Sequence, residues 1–363
     1  MKKILCLIDG LGMGGAERQM IGLASFLKEK GYHVDLVTYN SRNLYAEIVE
    51  KYGLASITLC TKNNKWSKLQ AVRHHIKAVG GYDWVIAYKD GPAVIGCLLK
   101  MFGVKFRLIV SERNTNQGLT KRERLKFFLY RWANYIVPNA YAQERFIVKN
   151  FPELKNSTIT ITNFTDTDYF KPIVRDKSNI LNILTVARIA KQKNVLNYLE
   201  AIKLLKADGY TTQVHFDWYG DIQTGEEFYG ELCYKRRLDL ELENLITFHL
   251  GTTDIVNHYQ TCDIFCLPSI YEGFPNVICE AMSCGKPIVC SRVCDNPDIV
   301  KENVNGLFFD PTDVQSIYNS LKQMIEMSNE SRLEWGYNSR CISESLFSKQ
   351  VFVDKYIRLI DKE

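Results

Sequence analysis

The chain has 363 residues, a formal net charge of +5 and 46% hydrophobic residues, which is room for roughly two domains with well-buried cores. No apolar run approaches the ~20 residues that span a bilayer, and the first apolar run stops at Asp9, too short for a signal peptide and better suited to a buried strand. Residues 1–165 hold 25 Lys and Arg against 12 Asp and Glu, and the remainder 21 against 29, so two domains facing different partners are expected.

In chain order, strand-like runs near 3–8, 33–38, 55–59, 83–87, 106–110, 134–138 and 157–161 alternate with helical stretches. The first run leads into Gly10-Leu11-Gly12-Met13-Gly14-Gly15-Ala16-Glu17, which contains a G-x-G-x-x-G pattern. A dinucleotide site would also need an acidic residue closing the second strand to hold a ribose. That strand ends instead at Tyr39-Asn40, with Asp35 inside it, so a dehydrogenase is not supported. The glycines keep their physical meaning: Gly14-Gly15 lets backbone approach a ligand closely at a helix start, or makes a tight turn without one. The fifth run ends in Ser111-Glu112-Arg113-Asn114, a loop able to hydrogen-bond a sugar or to close on itself through salt bridges. Next, residues 121–132 mix Lys and Arg with Phe, Leu, Tyr and Trp at helical spacing. Such a segment is either an interfacial helix resting on anionic lipid or a helix packing Leu125, Phe128, Leu129 and Trp132 into its own domain. Its basic and aromatic composition comes with no nucleic-acid-binding motif, so no nucleic-acid partner is expected.

Turn residues and a proline between Asn163 and Pro172 look like an interdomain crossing. A second alternating series follows, with strands near 181–187, 213–218, 245–248, 262–267, 286–290 and 306–309, and the tail from Pro311 is mostly helical. This alternation predicts an α/β protein with parallel sheets, arranged as two Rossmann-like domains facing each other across a cleft, because ligands bind at the carboxyl ends of parallel strands. The eleven cysteines are scattered without a Cys-x-x-Cys pair, and Cys6, Cys262, Cys266 and Cys290 fall in predicted strands; reduced core thiols of a cytoplasmic protein are expected.

The second series carries the densest chemistry. Arg188 follows its first strand directly and Lys193 comes five residues later, before a helix. Two cations at a strand's carboxyl end suit a diphosphate, Arg through forked hydrogen bonds and Lys as a point charge. Further on, Glu272 and Glu280 bracket a Gly273-Phe274-Pro275 turn that enters a helix. Carboxylates beside a helix start are good acceptors for sugar or ribose hydroxyls, while the helix start itself suits an anion. A phosphorylated sugar or nucleotide sugar fits both.

These pieces occur in one order along nearly the whole chain: Gly14-Gly15-Ala16-Glu17, Arg188 and Lys193, Gly220 after a strand, Phe248-His249-Leu250-Gly251, and Glu272 and Glu280 with Gly273-Phe274-Pro275-Asn276-Val277 between them. Taken together they resemble the retaining glycosyltransferases of family 4, which have two facing Rossmann-like domains (the GT-B fold). The resemblance implies that Glu280 holds the ribose of a UDP- or GDP-linked sugar, and that Glu272 with Gly273, Phe274, Asn276 and Val277 holds the sugar. It implies that Arg188 and Lys193 neutralise the departing diphosphate, and that Gly220, Gly14 and Gly15 lie against the donor. It also implies front-face attack without a protein nucleophile, the departing phosphate taking the acceptor's proton; Glu272 as nucleophile is the alternative. No Asp-x-Asp motif lies in a suitable loop, so no metal or other cofactor is expected and the cations would act in its place. Many members carry a His where this chain has Ser111-Glu112-Arg113-Asn114, and these residues with Glu17 are the expected acceptor side.

The expected domains are 1–165 for the acceptor, 166–343 for the nucleotide sugar, and 344–363 as a helix packing back on the first. The expected activity is transfer of a hexose or N-acetylhexosamine to a glycan or polyprenyl-diphosphate-linked acceptor in bacterial surface-polysaccharide synthesis, by a cytoplasmic enzyme peripheral to the membrane's inner face. A silent glycan- or nucleotide-binding protein and a sugar-nucleotide epimerase of similar shape are the rivals.

Overall fold

The computed structural model describes residues 1–12, 14–41, 44–59, 62, 64–116, 118–174 and 179–362. Its described strands are β1 (Lys3–Leu7), β2 (His33–Thr38), β3 (Ser56–Thr58), β4 (Trp84–Tyr88), β5 (Arg107–Glu112) and β6 (Tyr135–Pro138), then β7 (Leu181–Val186), β8 (Val214–Tyr219), β9 (Ile246–His249), β10 (Ile264–Leu267), β11 (Ile288–Ser291) and β12 (Gly306–Phe309). They form two sheets, ordered β3-β2-β1-β4-β5-β6 and β12-β11-β10-β7-β8-β9. Every pairing in both is parallel, as strands separated by helical crossovers require. The chain divides into two units, Met1–Phe164 with Lys349–Glu363, and Thr165–Ser348.

In the first unit both faces of the sheet are covered. Along β1, Ile4 and Cys6 point into one apolar cluster and Leu5 and Leu7 into another, the period of two that a strand imposes. The first cluster is closed by the last helix, Lys349–Asp361, through Phe352, Val353, Tyr356, Leu359 and Ile360. These recur at three- and four-residue spacing, as on one helix face. Each such side chain taken out of water stabilises the unit by about 1.5–3 kcal/mol.

Residues 157–161, expected as a strand, are not one. Thr158 makes a single bridge to Ile136, and the amides of Ile159 and Ile161 donate to Ile136 and Pro138 of β6. The segment follows a 3-10 turn, Pro152–Ser157, and runs along the sheet edge without a continuous ladder. Eight of the described cysteines are buried, Cys294 is half-buried and Cys341 exposed; burial pushes the Cys97 thiol up to about 12. Among the described residues no helix is long and apolar enough to cross a membrane.

Candidate active site

In an open parallel sheet the order of strands reverses at one place, and the loops leaving the carboxyl ends there diverge to leave a crevice. In the second unit that place lies between β7 and β10, which pair through Ile183 with Ile264 and Leu184 with Phe265. The loop after β7 carries Arg188 and Lys193, and the loop after β10 carries Glu272. Strands separated by some eighty residues therefore deliver the expected diphosphate and sugar groups to one crevice.

The two loops are stitched together. Lys193 Nζ lies 2.5 Å from Glu272 Oε1, with the two side chains 13% and 9% exposed. Ser269 donates its hydroxyl to the same oxygen at 2.5 Å. The Ile270 amide donates to the Gln192 carbonyl at 2.8 Å, and Gln192 Nε2 to the Tyr271 carbonyl at 2.9 Å. Glu272's own amide meets the Cys294 sulfur at 3.4 Å. Arg188, by contrast, is exposed and has no ion-pair partner among the described residues. It borders a recess of about 320 Å³ shared with Gln192, Gln223 and Tyr271.

Glu280 lies on the short helix Asn276–Ser283, which Pro275 precedes without a side-chain cap. The residue is 8% exposed, and its carboxylate accepts the Tyr259 hydroxyl at 3.0 Å. Burial, and then the Glu280 charge, push the Tyr259 phenol well above its ordinary value, so Tyr259 stays a donor at neutral pH. Phe274 is buried with its ring 5.7 Å from that of Phe347; it anchors the turn by packing, while Gly273, Asn276 and Val277 remain partly exposed. Gly220 follows β8 with φ of 153°, and a Cβ there would meet the Ala187 carbonyl oxygen at 2.1 Å. Glycine at 220 lets two backbones touch directly behind Arg188.

The first unit's sheet reverses between β1 and β4. Gly14 stands before the helix Gly15–Glu29, and a Cβ on it would lie 2.4 Å from a Glu17 carboxylate oxygen. Glu17 is 7% exposed and is held by Lys89 Nζ at 2.6 Å. The Ser111–Asn114 segment is largely consumed by the fold. Ser111 donates to the Val137 carbonyl at 2.9 Å. Glu112, 2% exposed, binds Lys126 Nζ at 2.6 Å and the Tyr130 hydroxyl. Arg113 lies 3.7 Å over the Tyr88 ring and donates to Asn163 and to Tyr356 of the last helix. Only Asn114 of the four is exposed.

That buried carboxylate also turns the helix Lys121–Leu129. The inward packing of Leu125, Phe128 and Trp132 is not found: Lys126, Phe127 and Tyr130 point inward, whereas Leu125, Phe128 and Trp132 are 61%, 55% and 43% exposed. Hydrophobic spacing alone puts cations outside, but a buried Glu112 without a cation would be far costlier than a buried Lys126 with one. Sequence reasoning passed over Tyr259, Ser269, Asp9 and Lys89. Asp9 could have been noticed because it follows β1 immediately before Gly10; nothing in the sequence marks the other three. Among the described residues no group of three or more His, Cys, Asp or Glu is placed to hold a metal ion.

Residues 166–341 match the family described as glycosyl transferases group 1. Over 94% of both chains, the sequence is 26% identical to the N-acetylgalactosamine-N,N'-diacetylbacillosaminyl-diphospho-undecaprenol 4-alpha-N-acetylgalactosaminyltransferase of Campylobacter jejuni. Over 46% of this chain and 44% of the other, it is 28% identical to the UDP-Gal:alpha-D-GlcNAc-diphosphoundecaprenol alpha-1,3-galactosyltransferase of Escherichia coli. The fold superimposes on HepE of Anabaena, solved in complex with UDP and glucose, with a TM-score of 0.83 over 100% of both chains at 19% identity. The chain has the GT-B fold and is a glycosyltransferase.

Proposed function

We propose that this glycosyltransferase is a retaining enzyme of family 4 that moves a hexose or N-acetylhexosamine from a UDP-sugar to a polyprenyl-diphosphate-linked glycan during bacterial polysaccharide assembly. The observation that carries the reading is the meeting of the loops after β7 and β10, which bring together the buried Lys193–Glu272 pair and carry Arg188, exposed and without an ion-pair partner among the described residues. Cleaving a sugar–phosphate bond builds negative charge on the leaving diphosphate, and fixed donors stabilise that charge without reorganising. Arg188 and Lys193 supply it, so the transfer proceeds without a metal. Glu272, with Gly273 and Asn276, takes sugar hydroxyls, and Glu280, steadied by Tyr259, takes the ribose. Uridine is favoured over guanosine by the neighbours that bind UDP, and the lipid-linked acceptor by the relatives named for such acceptors.

The exposed Leu125, Phe128 and Trp132, flanked by exposed Lys121, Arg122, Arg124 and Arg131, suit a peripheral contact with anionic lipid on the cytoplasmic face of the membrane. Apolar side chains enter the headgroup boundary while cations meet the surface charge. The transfer reading is tested by incubating the protein with UDP-glucose, UDP-galactose and their N-acetylated forms, plus a bacterial lipid extract, and following labelled sugar into lipid with its anomeric configuration. Retention of configuration in a lipid-linked product is expected. Epimerised nucleotide sugar without any acceptor product would overturn the reading, as would binding without turnover.

A further inference from the structure

At the amino ends of three adjacent strands of the first sheet, β1, β4 and β5, lies a recess of about 570 Å³. Lys2 stands just before β1, Asp83 just before β4, and Arg107 opens β5, while Asp361 and Lys362 at the end of the last helix complete the lining. Four cations, Lys2, Lys105, Arg107 and Lys362, face two carboxylates, Asp83 and Asp361, across it. Both carboxylates are already engaged. Asp361 accepts from Lys2 Nζ at 2.9 Å and from the Tyr32 hydroxyl at 2.8 Å, and Asp83 accepts the Lys3 amide at 2.7 Å. Lys105, Arg107 and Lys362 have no ion-pair partner among the described residues. The Arg107 guanidinium lies 4.5 Å over the Trp84 ring, which stacks in turn on Tyr135, and it donates to the Lys362 carbonyl at 2.7 Å. One cation is thus held in a fixed plane with no carboxylate against it and most of its five N–H donors unspent. Burial pushes the neighbouring Lys100 ammonium below its ordinary range, and the Arg107 charge pushes it further, so positive charge is crowded in this corner.

We propose that this recess is an effector site for a free phosphorylated sugar, with Arg107, Lys105 and Lys362 on the phosphate and Asp83 on a sugar hydroxyl. A guanidinium offers a phosphate paired donors in a fixed plane, and the two ammonium groups add point charge. The excess of cations draws a dianion and gives a neutral sugar no such attraction. Asp83, one oxygen of which is taken by the Lys3 amide, keeps acceptor capacity for a hydroxyl. The volume is within the roughly 300–1,000 Å³ of small-molecule sites. The donor groups Arg188, Lys193 and Glu272 belong to the other unit, and ligands of parallel sheets gather at the carboxyl ends of strands, so this site at the amino ends is separate from the transfer chemistry. No bond forms or breaks there. Because its lining joins the starts of β1 and β5 to the end of the last helix, a bound ligand ties that helix to the sheet and stabilises the first unit.

The test is calorimetry on the full chain with glucose 1-phosphate as the probe and glucose as the uncharged control. It is run in an Arg188→Ala background, which removes the exposed cation of the donor crevice as a competing phosphate site. Glucose 1-phosphate is expected to bind, to raise the melting temperature, and to bind at least tenfold more tightly than glucose. Adding Lys105→Glu and Lys362→Glu, both at exposed positions, should weaken it at least tenfold and leave the melting temperature of the ligand-free protein unchanged. No binding in the Arg188→Ala background, equal binding after the two charge reversals, or glucose bound as tightly as its phosphate would each overturn the site. A lipid headgroup carries the same phosphate, so phosphatidylglycerol vesicles form a second arm. Vesicle binding lost on charge reversal, without any binding of free glucose 1-phosphate, would replace the small-ligand site with a membrane surface and overturn the proposal.

Discussion

Lys193 Nζ meets Glu272 Oε1 at 2.5 Å, and the two residues arrive from loops that follow the paired strands β7 and β10. The pair is nearly excluded from solvent, so each charge depends on the other.

Lys193→Ala is expected to depress transfer by roughly 100- to 1,000-fold, the range seen when one fixed donor to a developing anion is removed. It also leaves a buried carboxylate uncompensated, at a cost of about 3–5 kcal/mol. Adding Glu272→Ala should restore much of the stability and none of the activity. Urea denaturation alongside UDP release separates the two effects.

Tyr259→Phe removes the hydroxyl that Glu280 accepts at 3.0 Å. A hydrogen bond to a charged group contributes about 1.5–3 kcal/mol, so UDP affinity measured by calorimetry is expected to fall roughly 10- to 100-fold. Because burial and Glu280 hold the phenol well above its ordinary range, phenolate formation at Tyr259 should be absent up to pH 10. An ultraviolet titration comparing the two proteins would detect it.

Gly220→Ala should destabilise the second unit. Its Cβ would stand 2.1 Å from the Ala187 carbonyl oxygen at a φ of 153°, and the strained backbone alone costs about 1–3 kcal/mol. Relief requires shifting the β7 end that carries Arg188, so transfer should fall further than the melting temperature explains.

Lys126→Met is expected to cost about 3–5 kcal/mol by leaving Glu112 buried without its cation. Glu112→Gln in the same chain should recover most of it. Thermal melts of the single and double variants measure the coupling.

On the outer side of the same helix, Leu125→Ser, Phe128→Ser and Trp132→Ser together should leave stability within about 0.5 kcal/mol, as for surface positions away from packed contacts. Cosedimentation with phosphatidylserine vesicles should drop at least tenfold, and 0.5 M salt should weaken the unaltered protein's binding, since each cation near an anionic surface contributes about 1 kcal/mol. Equal binding by the triple variant would remove this face from the membrane reading.

Sequence alone determined the alternation of strands and helices, because parallel strands buried on both faces read as continuous apolar runs and Gly, Pro and Asn break them locally. It also placed Gly273 to Glu280 on one turn-to-helix segment, where neighbours in sequence are neighbours in space. Tertiary structure decided which distant charges meet. Lys193 finds Glu272, Lys89 finds Asp9, and Lys126 finds Glu112 only once β7 lies beside β10, β1 beside β4, and the helix Lys121–Leu129 against β5 and its neighbours. Residues 157–161, expected as a strand, and Leu125, Phe128 and Trp132, for which inward packing was one of two expectations, depart from the sequence reading for the same reason. Local apolar spacing reports what a segment prefers by itself, whereas edge pairing and the burial of a carboxylate are set by partners far along the chain, and an unpaired buried charge outweighs several exposed apolar side chains.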